Sequence, residues 1–156
     1  MFHAFDFKPL RRYKSGTDKT YIGFHQTKPE YAIGIAKTGF RISSTPPQML
    51  GFGVYFARSF KDTGGKARSS GAFICAEVNM KRVRVVNYSE LCEVQNTDAW
   101  WNEYDTIYYA HEQENRDEFC VKDPAQILNW IIIIDDDRLR RYGLDTDFNN
   151  TCCNCI

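Results

Sequence analysis

Gly51-Phe52-Gly53-Val54-Tyr55-Phe56-Ala57 reads as a short strand: glycines lead a run of valine and aromatic side chains, the composition that fits a pleated, half-buried surface. The glycines leave the backbone open to close approach by a flat ligand, and Tyr55 offers it a stacking face. The alternative for Tyr55 is a strand tyrosine packed in the core. Upstream, Ser43-Ser44-Thr45-Pro46-Pro47 is a loop by composition. Before that loop, Thr27-Lys28-Pro29 opens a helix with a hydroxyl cap and an early proline, and Gly39 stops it. A strand over 20–25 precedes the helix, and further strands are predicted over 72–78, 83–86, 106–109, 118–121 and 128–134. One helix near the start and many short strands, without regular βαβ alternation, give the class α+β.

At 156 residues, 43% hydrophobic and 15% aromatic, the chain has the size of one domain and the means to build a core. Its 20 basic and 20 acidic residues cancel, so no net field draws it to nucleic acid or to an anionic membrane. A partner of that kind has to be met through a local patch. No positively charged start leads into an apolar run, and the longest apolar stretch, 130–134, is too short to cross a bilayer. The expectation is a soluble protein of the cytoplasm or nucleus. Cys75, Cys92 and Cys120 are scattered along the chain and read as buried free thiols, which suits a reducing compartment.

Two further motifs carry chemistry. Phe24-His25-Gln26-Thr27 lies at the strand-to-helix junction, where His25 faces whatever sits above the strand end; a histidine with no ligand is the plainer alternative. Asp117-Glu118-Phe119-Cys120-Val121 leads an apolar strand with an acidic pair, directly after the polar loop 111–116. A carboxylate at that place can stabilise a growing positive charge, or it is a solvated strand-end glutamate.

Together these motifs, with Thr38-Gly39-Phe40-Arg41, Met49-Leu50 ahead of Gly51, and Lys122-Asp123-Pro124-Ala125-Gln126-Ile127 after Val121, resemble the catalytic domain of the poly(ADP-ribose) polymerase family. The resemblance covers residues 21–134 in the order and spacing that family uses. It implies an ADP-ribosyltransferase fold: two packed, mostly antiparallel sheets with short peripheral helices and an NAD⁺ cleft between them. It also implies a triad of His25, Tyr55 and Glu118. His25 would hydrogen-bond ribose hydroxyls, Tyr55 would stack on the nicotinamide ring, and Glu118 would hold a ribose hydroxyl and stabilise the oxocarbenium-like ribose formed as the glycosidic bond breaks. The nicotinamide amide would be paired by the backbone of Gln26 and the hydroxyl of Thr63. Thr27 belongs to the same NAD⁺-binding set, and Arg41 stands beside the adenosine pocket; for Arg41 the alternative is an exposed charge.

The activity so implied is cleavage of the nicotinamide–ribose bond of NAD⁺ and transfer of single ADP-ribose units to a macromolecular acceptor, a protein before a nucleic acid. Two rivals stay open: an NAD⁺ glycohydrolase, in which water accepts the ribose, and a domain that binds ADP-ribose or a protein partner without turnover. The chain departs from the family pattern at Gln26, where a glycine is usual, and at Lys66, where a second stacking aromatic is usual. A lysine there repels the pyridinium of NAD⁺; alternatively Lys66 and Arg68, in a glycine-rich loop, serve the pyrophosphate. The helical regulatory domain that often precedes the family's catalytic domain has no room before His25, which implies constitutive access to NAD⁺.

The resulting layout is a basic and aromatic lead-in over 1–19, the catalytic domain over 20–143 and a cysteine-rich tail over 144–156. Asp135-Asp136-Asp137 reads as a solvated turn or helix start, and no metal is assigned. The basic clusters 8–14 and 138–141 read as solvated surface and not as a nucleic-acid site. In the tail, Cys153 stands four from the end, the length of a prenylation signal, with Cys152 and Cys155 as acylation partners. Asn154 and Cys155 are not the usual aliphatic pair, so a lipid anchor at Cys153 is the lesser alternative to an unmodified tail.

Overall fold

The computed structural model describes residues 11–59, 71–113 and 116–134. Its strands are β1 (Thr20–Thr27), β2 (Val54–Ala57), β3 (Ala72–Asn79), β4 (Val83–Val86), β5 (Thr106–Tyr109), β6 (Glu118–Val121) and β7 (Ile127–Ile134). These are the seven stretches expected as strands. The α-helix α1 (Pro29–Thr38) follows β1. The class is α+β. The hydroxyl cap expected for α1 is absent: Thr27 is the buried last residue of β1, and the cap position falls to Lys28, whose side chain makes no capping bond. Pro29 tolerates this, because at the first helical position its missing N–H is one the helix leaves unpaired anyway. At the other end the Gly39 N–H closes the helix on the Ile35 carbonyl at 2.8 Å.

The strands hydrogen-bond in the order β4-β5-β6-β2-β1-β3-β7, and every ladder is antiparallel except β4–β5. The described strands therefore form one mixed sheet, where two packed sheets were expected. The blocks β4-β5-β6-β2 and β1-β3-β7 are joined by a single registered pair, Phe24 opposite Ala57, and that one contact makes the sheet continuous.

Alternation along β5 and β6 sends side chains to two cores on opposite faces. Tyr108, Phe119 and Val121 join one cluster with Tyr21, Phe56, Ile74 and Val78, against which Ile35 of α1 packs. Ile107, Tyr109 and Cys120 join the other, with Leu50, Val86, Leu91, Val94 and Trp100. The second core is covered by two 3₁₀ turns, Tyr88–Glu93 and Ala99–Asn102, which the sequence reading did not anticipate. Burying one large apolar side chain of this kind stabilises the fold by about 1.5–3 kcal/mol.

Within the lead-in, Tyr13 and the Arg11 backbone are tied to the body of the fold. Tyr13 is buried in the first core, and the Tyr21 hydroxyl donates to the Arg11 carbonyl at 2.8 Å. Among the described residues no helix is long and apolar enough to cross a membrane. The 135–137 acidic run, the 138–141 basic cluster and the tail lie outside the described residues.

Candidate functional site

The site is where β1 and β2 part. Beyond the Phe24–Ala57 pair, continued register would set Gln26 opposite Tyr55, but Gln26 pairs only with Phe73 of β3. A cleft of ≈ 700 Å³ opens there, lined by the end of β1, by 53–57, by Glu118 and by one side of α1. Because directly opposed residues of an antiparallel pair share a face, Phe24, Gln26, Tyr55, Ala57 and Glu118 project to one side of the sheet. His25 alternates to the other side, with Ile74. The parting of the strands lets both sides reach one space.

His25 spans the gap. Its Nδ1 lies 2.8 Å from the Tyr55 carbonyl oxygen, which only accepts, so Nδ1 carries the proton and Nε2 presents a lone pair when the ring is neutral. Phe40 and Phe56 meet the imidazole edge to face, with centroids 6.0 and 6.1 Å away. Burial among these rings pushes the His25 pKa below 6.5, partly opposed by the bond to the Tyr55 carbonyl.

The Tyr55 side chain is held at its hydroxyl by two hydrogen bonds. Its hydroxyl donates to the Gly51 carbonyl at 2.6 Å and accepts from the Leu50 N–H at 2.9 Å. Burial, with the nearby Cys120 and Glu118, raises its pKa far above that of a free phenol. The hydroxyl is thus a fixed anchor and not a proton donor to a reaction, while the ring lines the cleft. The glycines flanking this stretch have another use than the one expected. A Cβ on Gly51, whose φ is +79°, would lie 2.3 Å from Trp100 Nε1, and one on Gly53 would lie 2.4 Å from Cys120 Sγ. The close approach is made by the protein's own second core.

Glu118 and Asp117 take opposite faces of β6. Glu118, partly buried, pairs across to Ala57 and Tyr109 and lines the cleft. Asp117 is fully buried and in phase with Phe119. It accepts from Arg12 Nε and Nη2 at 2.8 Å each, from the Tyr108 hydroxyl at 2.7 Å and from the His111 N–H at 2.8 Å. Arg58, itself buried, brings Nη1 within 3.9 Å of the same carboxylate and donates its backbone N–H to the Asp117 carbonyl at 2.9 Å. Arg12, Arg58 and Asp117 were not read as functional from sequence. The signal available was phase: an acid in step with apolar Phe119 and Val121 faces a core and needs a cation there.

Of the remaining expected binding residues, Gln26 and Thr27 line the cleft at the end of β1, and Arg41 lines it as an exposed side chain. Thr63 and Lys66 lie outside the described residues. Of the cysteines expected to be buried, Cys120 is, Cys75 is partly so, and Cys92 is exposed on the 3₁₀ turn Tyr88–Glu93, where apolar cover is limited to Leu91. Among the described residues no group of three or more His, Cys, Asp or Glu side chains could hold a metal ion. No protein-family model matches the chain, and no curated protein matches it either.

Proposed function

We propose that this chain is an NAD⁺-dependent ADP-ribosyltransferase that moves single ADP-ribose units onto a macromolecular acceptor. One observation carries the reading: His25, Tyr55 and Glu118, contributed by three different strands, line a single cleft large enough for a dinucleotide fragment. The resemblance of the motifs around them to the poly(ADP-ribose) polymerase family supplies the chemistry. Neutral His25 offers Nε2 as an acceptor for a ribose hydroxyl. Tyr55, its hydroxyl tied down, offers a ring face that does not rotate away. Glu118 offers a carboxylate where positive charge grows on the ribose as the bond to nicotinamide breaks and its electron pair leaves with the pyridine nitrogen. Arg41 adds a cation on the same wall, suited to the phosphates.

The test is incubation of the chain with labelled NAD⁺ and a lysate, measuring released nicotinamide and label retained on macromolecules after protease or nuclease treatment. The expected result is nicotinamide release with protease-sensitive label carried as single units. Nicotinamide release without retained label would identify a glycohydrolase. Binding of ADP-ribose without release would identify a binding domain.

A further inference from the structure

Two side-chain polar atoms among the described residues are buried with no hydrogen-bond partner: Trp100 Nε1 and Gln26 Oε1. Trp100 belongs to the second core, while Gln26 lines the cleft. A buried amide oxygen left unpaired is costly, and two donors of the same cleft are already committed elsewhere. The Tyr55 hydroxyl hydrogen is on the Gly51 carbonyl, and His25 Nδ1 is on the Tyr55 carbonyl. Gln26 also stands on the Tyr55 and Glu118 side of the sheet, at the position where β1 leaves β2.

We propose that the Gln26 side chain reads the leaving group: its Oε1 accepts a hydrogen bond from the carboxamide N–H of nicotinamide and makes the cleft selective for pyridine carboxamides. The inference rests on the NAD⁺ reading of the cleft and deepens it, since the resemblance assigns Gln26 only a backbone role. A glycine at this position has no such acceptor. Gln26 is therefore a specificity-determining residue of this chain.

The discriminating probes are nicotinamide and 3-acetylpyridine, which keeps the ring and the carbonyl and replaces the amide NH₂ by methyl. Calorimetric titration of the full chain with each probe, and with ADP-ribose, is compared between wild type and Gln26→Met, a variant of similar length with no oxygen. Gln26→Met is expected to weaken nicotinamide about tenfold, the scale of one neutral hydrogen bond, and to leave 3-acetylpyridine and ADP-ribose unchanged. Gln26→Glu, which keeps an acceptor oxygen, is expected to retain the preference for nicotinamide. Equal loss of both pyridines, or no loss of either, with ADP-ribose still bound, would overturn the role of Gln26 alone. Wild-type protein that binds neither ADP-ribose nor nicotinamide would overturn the NAD⁺ reading, and this proposal with it.

Discussion

The imidazole Nδ1 of His25 lies 2.8 Å from the carbonyl oxygen of Tyr55, across the gap where the β1–β2 ladder ends. A side chain here does what a backbone rung would otherwise do. It ties the two strands together one step beyond Phe24–Ala57 while keeping them apart, so the same ring that closes the sheet also walls the cleft. The two nitrogens divide the work, and substitution can separate them. His25→Asn keeps a donor near the Nδ1 position and removes Nε2. It is expected to hold the melting temperature within the effect of about 1 kcal/mol and to weaken ADP-ribose several-fold. His25→Ala is expected to lose both. Equal ADP-ribose affinity in wild type and His25→Asn would remove Nε2 from binding.

The protonation of His25 gives a pH dependence with a definite sign. Burial lowers its pKa in the folded chain below 6.5, whereas the unfolded chain takes up the proton near that value. Above 6.5 the ring is neutral in both states, and the stability it contributes is fully present. As pH falls through 6.5 the unfolded state binds the proton first, and stability is lost until the folded-state pKa is reached. Denaturation midpoints measured from about pH 7 down to about pH 5 should fall less steeply in His25→Asn than in wild type. Parallel slopes would show that the folded-state pKa is not depressed.

Asp117 is the node that fixes the start of β6. It is fully buried, and Arg12, reaching it from 105 residues away, supplies two of its bonds. Removing one partner of a buried pair leaves the other charge uncompensated. Asp117→Ala is expected to destabilise the fold by about 3–5 kcal/mol, read from chemical denaturation. Arg12→Ala should cost less, because Arg12 is about a third exposed and Arg58 remains beside the carboxylate. A cost below about 1 kcal/mol for Asp117→Ala would mean that the network adds nothing net.

This network marks the limit of what the sequence discloses. The seven strands were legible because each is a β-prone run bounded by turn residues, and α1 because Pro29 and Gly39 punctuate it. The site motifs were legible because each has a recognisable neighbourhood: His25 near the end of β1, Tyr55 just after Gly51 and Gly53 within β2, and Glu118 at the start of β6. Pairing is another matter. That β1 and β2 meet at only one residue pair, fusing two expected sheets, depends on packing across the whole molecule. Arg12 and Asp117 are joined by tertiary structure alone. The 3₁₀ turn Tyr88–Glu93 did leave a trace, since Asn87 with Glu90 has the spacing of a capping box and forms one in the structure, as Asp123 with Gln126 does at a further short 3₁₀ turn, Pro124–Gln126.

Tyr55 tests whether anchoring or the ring itself matters. Tyr55→Phe keeps the ring but strands the Leu50 N–H and leaves the Gly51 carbonyl only the weak Cys120 thiol donor, and should destabilise the protein by about 1–3 kcal/mol. With the hydroxyl buried and bonded to backbone, nicotinamide release at saturating NAD⁺ should change little in Tyr55→Phe at a temperature where the variant is folded. Tyr55→Ala should weaken nicotinamide binding further, by the stacking contribution of about 0.5–1.5 kcal/mol. A large loss of turnover in folded Tyr55→Phe would give the hydroxyl a chemical role that its present partners do not suggest.

Glu118 separates chemistry from folding most cleanly, because the sheet gives it the opposite face from Asp117. Its backbone sits in the ladder between β2 and β5, while its side chain lines the cleft. Glu118→Gln preserves shape and one acceptor oxygen, exchanges the other oxygen for an NH₂ donor and removes the charge. The variant should therefore match wild type in circular dichroism and in denaturation midpoint, and should still bind ADP-ribose. Nicotinamide release should fall roughly 10²–10³-fold, the scale for losing one preorganised group aimed at charge that develops in the transition state. Asp117→Ala is the contrasting control, since its loss of activity should track loss of fold, and lowering the temperature should restore part of it. Unchanged release by folded Glu118→Gln would remove the carboxylate from the mechanism and leave the cleft a binding site.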